Sequence, residues 1–351
     1  MPAPSVLFLG GTGIISSACT RAALEKGFEV FVLGRGRTAT RPAPEGCRLL
    51  TGDLDDPASF RAAVGDRDFE VVADFRAFGP DDVTARLDVL RGRMGQYVFI
   101  SSASAYQTPP ARLPVVESTP LRNPFWAYSR GKIAAEDLLV RAHREEGLPV
   151  TIVRPSHTYD HTAPPFDGGW TVVERMRRGA EVVVHGDGTS LWTLTHHTDF
   201  ARAFVGLLGN PAAIGDTFHI TSDEWLSWNQ VYEIVGAAAG VTPRLVHVTS
   251  DAIASVDADW GAALLGDKAH SMVFDNSKVK GVVPGWTATV PFHRGAAEIV
   301  DWFDADSSRK QVDARMDALM DRLVAQHTRA HGGDPTGGPI DKPTDEPTDE
   351  R

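Results

Sequence analysis

Tyr128 and Lys132 stand four residues apart in the run Tyr128-Ser129-Arg130-Gly131-Lys132, a spacing that places a phenol and an ammonium on one helix face. An ammonium beside a phenol favours the phenolate and draws its proton affinity toward a range useful for acid–base work. Ser101-Ser102-Ala103-Ser104-Ala105-Tyr106 directly follows a run of strand character, Gln96–Ser101. Its hydroxyls therefore fall at the carboxyl end of a strand, where open α/β sheets bind ligands. Phenol, ammonium and alcohol together can move a proton on and off a carbinol or carbonyl oxygen. The competing reading of the same residues is a core tyrosine and a surface lysine.

A second group points to an anion. Gly10-Gly11-Thr12-Gly13-Ile14-Ile15-Ser16 lies between an apolar strand, Ser5–Leu9, and a helix, Ile14–Lys26. Glycine permits the tight turn and close approach, and the helix N-terminus offers unpaired N–H groups to a pyrophosphate. Gly10, Thr12, Gly13, Ile14 and Ile15 are the candidate contacts, with Ser16 in the place of a third glycine. The second strand, Glu29–Leu33, ends in Gly34-Arg35-Gly36-Arg37 with no carboxylate to hold a ribose. An arginine there can take a 2′-phosphate bidentately, so Arg35 favours NADP over NAD; stacking on adenine, or solvent, is the alternative. Gly52-Asp53-Leu54 follows a third strand. Asp53 can accept from an adenine amino group and Leu54 can flank the ring, unless Asp53 merely belongs to a helix N-cap region.

These residues need a frame. Strand and helix alternate through Ala58–Val64, Phe69–Ala73, Pro80–Leu90, Gln96–Ser101, Trp126–Glu146 and Val150–Arg154, the rhythm of βαβ units on a parallel sheet. The expected fold is α/β: a doubly wound Rossmann sheet over 1–155 with parts of 195–225. Beyond Pro155, proline, glycine, histidine and tryptophan become frequent, which predicts a smaller lobe of loops and short strands, 156–194 interleaved with 226–330. Helices are expected at Thr198–Leu208, Trp228–Ala239 and Gln311–Ala325. Residues 332–351, rich in Gly, Pro, Asp and Thr, predict a disordered acidic tail.

Bulk properties narrow the function. The 351 residues are 42% hydrophobic and 23% charged, the balance of a globular core with a solvated surface. A net charge of -11 argues against nucleic acid as a general partner. Two cysteines, Cys19 and Cys47, make neither a disulfide framework nor a metal site. No apolar run approaches membrane-spanning length and no signal sequence is apparent. A cytoplasmic protein without metal is expected.

GGTGIIS, GDL, SSASAY, YSRGK, RPSHTY and GDGTSLWTLTHHTD together resemble the extended or atypical short-chain dehydrogenases/reductases, the superfamily of nucleotide-sugar epimerases and dehydratases. The resemblance implies Tyr128 as acid/base, Lys132 as its tuner and a nicotinamide-ribose ligand, and Ser102 as partner of the reacting oxygen. It also implies a homodimer packed through the helix carrying Tyr128. The departures matter as much. Ala103 and Ser104 replace the acidic pair of dehydratases, which disfavours elimination and leaves Ser104 as a substrate contact. His157 replaces an asparagine and becomes a candidate ligand for a substrate hydroxyl or phosphate, or a second proton-transfer group. Trp192 stands where a diphosphate-clamping arginine is common, followed by His196 and His197, with His196 a further substrate candidate. Trp126 and Trp170 flank the presumed cleft or belong to the core. The expected activity is NAD(P)-dependent epimerisation of a sugar-like secondary alcohol through a transient ketone. A reductase or dehydrogenase of the same substrates and a non-catalytic dinucleotide-binding sensor or scaffold are the alternatives.

Overall fold

The computed structural model describes residues 3–36 and 41–331, with side chains as far as 328. The expected tail over 332–351 lies outside the described residues. Strands β1 (Ser5–Leu9), β2 (Glu29–Gly34) and β3 (Arg48–Thr51) alternate with helices α1 (Ile14–Glu25) and α2 (Pro57–Val64). Strands β4 (Phe69–Asp74), β5 (Met94–Ile100) and β6 (Val150–Pro155) alternate with α3 (Pro80–Leu90) and α4 (Ala127–Glu146). Together with a later strand they form one parallel seven-stranded sheet, ordered β3-β2-β1-β4-β5-β6 and then the late strand.

Period-two alternation builds both faces. Val6, Phe8, Val30, Val32, Val98 and Ile100 bury on the face covered by α1. Leu7, Leu9, Phe31, Leu33, Tyr97 and Phe99 bury on the face covered by α2, α3 and α4. This two-sided burial explains why these strands read as continuous apolar runs. The strand order reverses between β1 and β4, and such a switch point opens a crevice at the carboxyl edge.

The rest of the chain continues through β7 (His157–Tyr159), α5 (Trp170–Arg177), β8 (Glu181–His185), β9 (Leu191–Trp192), β10 (Leu194–His196) and α6 (His197–Leu207). Then come β11 (Asp216–Ile220), the seventh sheet strand, β12 (Leu226–Ser227), α7 (Trp228–Ala238) and β13 (Arg244–Val248). The chain ends in α8 (Ser250–Val256), α9 (Ala258–Ala263), a π-helical turn (Leu264–Lys268), α10 (Ser277–Val282), α11 (Phe292–Asp304) and α12 (Ala314–His331). This lobe carries the two helices expected near Trp228–Ala239 and Gln311–Ala325, further helices beside its short strands, and an apolar core of its own. Trp170, Trp192, Trp228 and Trp260 lie in that core. Helix α12 starts later than expected because Asp313 accepts the N–H groups of Arg315 and Met316. Among the described residues no helix is long and apolar enough to cross a membrane.

Candidate active site

Every parallel strand from β1 to β6 delivers its carboxyl-end residues to one cleft of about 920 Å³. Gly10, Thr12, Gly13, Ile14 and Ile15 line it at the glycine turn, Arg35, Asp53 and Leu54 at the ends of β2 and β3, and Ser102, Tyr128 and Lys132 beside β5 and α4. Gly10 has φ +85°, a conformation that favours glycine. Ser16 is buried and its Oγ accepts the Gly13 N–H at 2.7 Å, so serine at this position caps the turn. No acidic side chain occupies the first turn of α1, which leaves that helix end suited to an anion. Asp53 is not the helix cap: Asp56 accepts from Ala58 and Ser59 and caps α2. These residues fit a dinucleotide in the glycine turn, in the helix end free of acidic side chains and in the small polar groups beside Tyr128.

Arg35 is exposed at the end of β2, without a partner among the described residues. Arg41 and Arg76, two guanidinium groups that sequence reasoning passed over, line the same cleft. Asp160 and Thr162 hold Arg41, the carboxylate at 2.6 Å. Arg76 packs where a Cβ on Gly10 would stand.

Tyr128 lies in the first turn of α4, with Lys132 one turn later. Lys132 is buried, and its Nζ donates to the carbonyls of Ala77 (2.6 Å) and Ile100 (2.7 Å). Burial pushes its pKa down to about 8, partly opposed by Asp74, Asp82 and Glu136. The Tyr128 hydroxyl is pushed up to about 12, first by burial and further by Asp267, while a hydrogen bond with Ser102 works the other way. Burial, and not the ammonium, dominates the phenol here. The ammonium sits 5.7 Å from the Tyr128 ring centroid and is engaged by two carbonyls. Ser102 caps a short turn by accepting from the Ser104 N–H at 3.1 Å. Its hydroxyl pairs with that of Ser104 at 2.8 Å, and Ser129 donates to Ser104 at 2.7 Å.

Two buried carboxylates hold this frame, neither anticipated from sequence. Asp74 ends β4 and accepts from the N–H groups of Arg76 (2.7 Å) and Ala77 (3.0 Å) and from the Tyr97 hydroxyl (2.7 Å). It thereby fixes the loop whose carbonyl takes Lys132. Glu136, one turn beyond Lys132, binds Arg154 of β6 (2.5 and 3.0 Å) and the Ser101 hydroxyl. Helix α4 is so tied to the ends of β5 and β6. A carboxylate closing an apolar strand, as in Val71-Val72-Ala73-Asp74, is the signal that could have revealed the first.

A second pocket of about 240 Å³ opens on Ser102 and Tyr128 and is lined by Ser104, Trp126, His157, Trp192, Asp267 and Lys268. Ser104, His157 and Trp192 therefore meet as the substrate candidates. Burial, aided by Lys268, pushes His157 down to about 3. It stays neutral near pH 7, which suits a hydroxyl ligand and not a phosphate counter-ion. His196 is not brought to either cavity. It caps α6, with Nδ1 2.7 Å from the Thr198 hydroxyl and Nε2 3.0 Å from Glu298. Its ring lies 4.5 Å from that of His197, and no group of three His, Cys, Asp or Glu suited to a metal occurs among the described residues. Trp170 stacks on Phe303 at 4.4 Å in the lobe core, whereas Trp126 faces the pocket.

Comparison with known proteins bears on the family and the fold. A UDP-glucose 4-epimerase of Lactobacillus helveticus is 28% identical over 42% of this chain and 50% of its own length. The chloroplast stem-loop binding protein of 41 kDa b of Arabidopsis thaliana is 25% identical over 69% of this chain and 65% of its own. The chain thus spans about half to two thirds of the length of these curated relatives. Among solved structures, the dTDP-glucose 4,6-dehydratase of Bacillus anthracis in complex with NAD superposes with TM-score 0.71 at 19% identity, covering 87% of this chain and 98% of that one. An epimerase from Methanothermobacter thermautotrophicus gives TM-score 0.72 at 16% identity, covering 88% and 94%. With its model matching residues 6–221, spanning the glycine turn, the serine segment and the Tyr128–Lys132 helix, the NAD dependent epimerase/dehydratase family is the one to which this chain belongs.

Proposed function

We propose that the protein is an NAD(P)-dependent epimerase of a sugar-like secondary alcohol, with Tyr128 as proton carrier and Ser102 as partner of the reacting oxygen. The observation that supports this most is that Ser102 and Tyr128 line both the long cleft and the small pocket, so one junction serves cofactor and substrate. A nicotinamide dinucleotide in the cleft supplies the two-electron acceptor and donor. Tyr128 takes the proton of the substrate hydroxyl and returns it to the ketone oxygen. The first step draws on the phenolate of Tyr128, and a phenol raised to about 12 favours the return step, in which it donates to that ketone. The neighbouring Ser102 hydroxyl favours the phenolate for the opposite step. The serine chain Ser129–Ser104–Ser102 fixes the direction of the Ser102 hydroxyl. Ala103 and Ser104, in place of an acidic pair, disfavour elimination.

Arg35 in the cleft also suits a reductase that uses the 2′-phosphorylated cofactor. The name of one relative raises stem-loop binding, which a net charge of -11 disfavours. The test uses hexoses and nucleotide hexoses deuterated at the reacting carbon, incubated with the protein and excess cofactor. Epimerisation keeps the label in the sugar of inverted configuration. Transfer of the label into the cofactor pool without an epimer overturns the epimerase reading and leaves the reductase.

A further inference from the structure

The small pocket holds a pair of charges that the proton chemistry does not use. Asp267 and Lys268 close the π-helical turn Leu264–Lys268, a rare local geometry that often marks functional sites. The turn is held from two sides. A Cβ on Gly266 would come within 2.6 Å of the Trp126 Cβ, so only glycine allows this approach. Asn123, buried, donates to the carbonyls of Gly266 (2.6 Å) and Ser104 (2.9 Å) and accepts the N–H groups of Phe125 and Trp126. One side chain thus joins the Asp267 turn, the serine segment and the start of α4 into a single frame.

Lys268 Nζ lies 3.5 Å from Asp267 Oδ2, with the two side chains 9% and 13% exposed. Among the described residues neither charged group has another hydrogen-bond partner. An ammonium has three donors and a carboxylate about four acceptor sites, so one long contact leaves both far from satisfied in a setting where buried polar groups are normally paired. Trp192, 1% exposed, adds a buried indole N–H without a partner. Burial raises the Asp267 carboxyl, and Lys268 pulls it back only in part. Burial acts against the Lys268 ammonium, yet Asp267 and Asp167 outweigh it and keep it charged.

We propose that Asp267 and Lys268 are specificity-determining residues that bind the hydroxyls of a single neutral sugar ring, whose reacting alcohol lies at Ser102 and Tyr128. The placing of that alcohol rests on the function proposed above. A pocket of about 240 Å³ has room for one pyranose ring beside Ser102 and Tyr128. Hydroxyls donate to Asp267 and accept from Lys268 at once. A carboxylate or phosphate drawn to Lys268 would meet the Asp267 charge. Trp126 and Trp192 supply apolar faces for the ring carbons.

Calorimetric titration of the NAD-saturated full chain with glucose, galactose, glucuronate and glucose 1-phosphate tests this. At least one neutral hexose is expected to bind at least tenfold more tightly than both anions. Asp267→Asn is expected to weaken that binding at least tenfold while NAD affinity stays unchanged. The double variant Asp267→Asn/Lys268→Met removes both charges together, avoids stranding one ion, and should show the same loss. Equal or tighter binding of either anion, absence of saturable hexose binding, or unchanged hexose affinity in a folded variant overturns the proposal. The wild-type selectivity decides without any variant. Hexose binding that depends on Asp267 in a protein that fails the label test would remove the epimerase reading and leave this pocket assignment standing.

Discussion

Gly131 sits between Tyr128 and Lys132, and a Cβ there would lie 2.7 Å from the Phe78 carbonyl oxygen. That oxygen is backbone in the loop after β4, so it cannot rotate aside. Gly→Ala inside a helix ordinarily stabilises by about 0.5–1 kcal/mol. Here, moving from 2.7 Å to the 3.4 Å where ordinary contact begins requires α4 and the loop to part by 3.4 − 2.7 = 0.7 Å. Overpacking of this kind costs about 1–3 kcal/mol. Gly281 in α10 is the control, with nothing within 4 Å of its would-be Cβ. Gly281→Ala should keep the propensity gain, and Gly131→Ala should fall below it by the whole overpacking cost, about 1–3 kcal/mol, in urea unfolding. The displacement also reaches the chemistry, because Lys132 bonds Ala77, the neighbour of Phe78. A misplacement near 1 Å costs about 10²-fold in rate, so Gly131→Ala should lose roughly 10- to 100-fold in turnover. Equal stability of the two variants with full turnover would refute the close approach of α4 to this loop.

Three other outcomes follow from the same geometry. Arg35→Ser should lower the preference for NADP over NAD by roughly 10- to 100-fold, the worth of charged hydrogen bonds of about 1.5–3 kcal/mol; an unchanged ratio of dissociation constants removes Arg35 from phosphate binding. Lys132 holds its proton less well folded, at about 8, than its ordinary 10.5. Between those pH values the unfolded chain binds the extra proton, so this group makes stability rise with pH, by up to about 3 kcal/mol. Lys132→Met should flatten that rise in urea titrations of the cofactor-free protein, and an identical slope would contradict the assignment. His157, at about 3, remains neutral from pH 5 to 8, so His157→Gln should remove no inflection from the pH profile of kcat/KM in that range.

The sheet was legible because its central strands bury both faces, and Val6–Leu9 or Val71–Ala73 then reads as an unbroken apolar run. The glycine turn, Arg35, Asp53 and the Tyr128–Lys132 spacing were legible because they sit at strand ends or on one helix face, positions that local periodicity fixes. The lobe was less so. Trp170 and Trp192 are core residues in segments broken by proline and glycine, where no period of two or 3.6 persists. Asp267 and Lys268 come to the pocket through a π-turn more than 130 residues after Tyr128 in the chain, and no local pattern encodes that meeting. His196 misled for the opposite reason. Its neighbourhood in sequence includes Trp192, but the turn into α6 makes it a helix cap. The tuning of the phenol was also beyond sequence, since it depends on which acceptors Lys132 finds, and these are the Ala77 and Ile100 carbonyls.

The most direct measurement is Tyr128→Phe, which deletes one oxygen at the junction of the two cavities. NAD affinity should stay within about twofold of wild type, and turnover of the deuterated sugar should fall by about 10²–10⁴-fold, the usual contribution of a positioned acid–base group. Turnover retained with a phenylalanine at 128 would contradict the account at its centre.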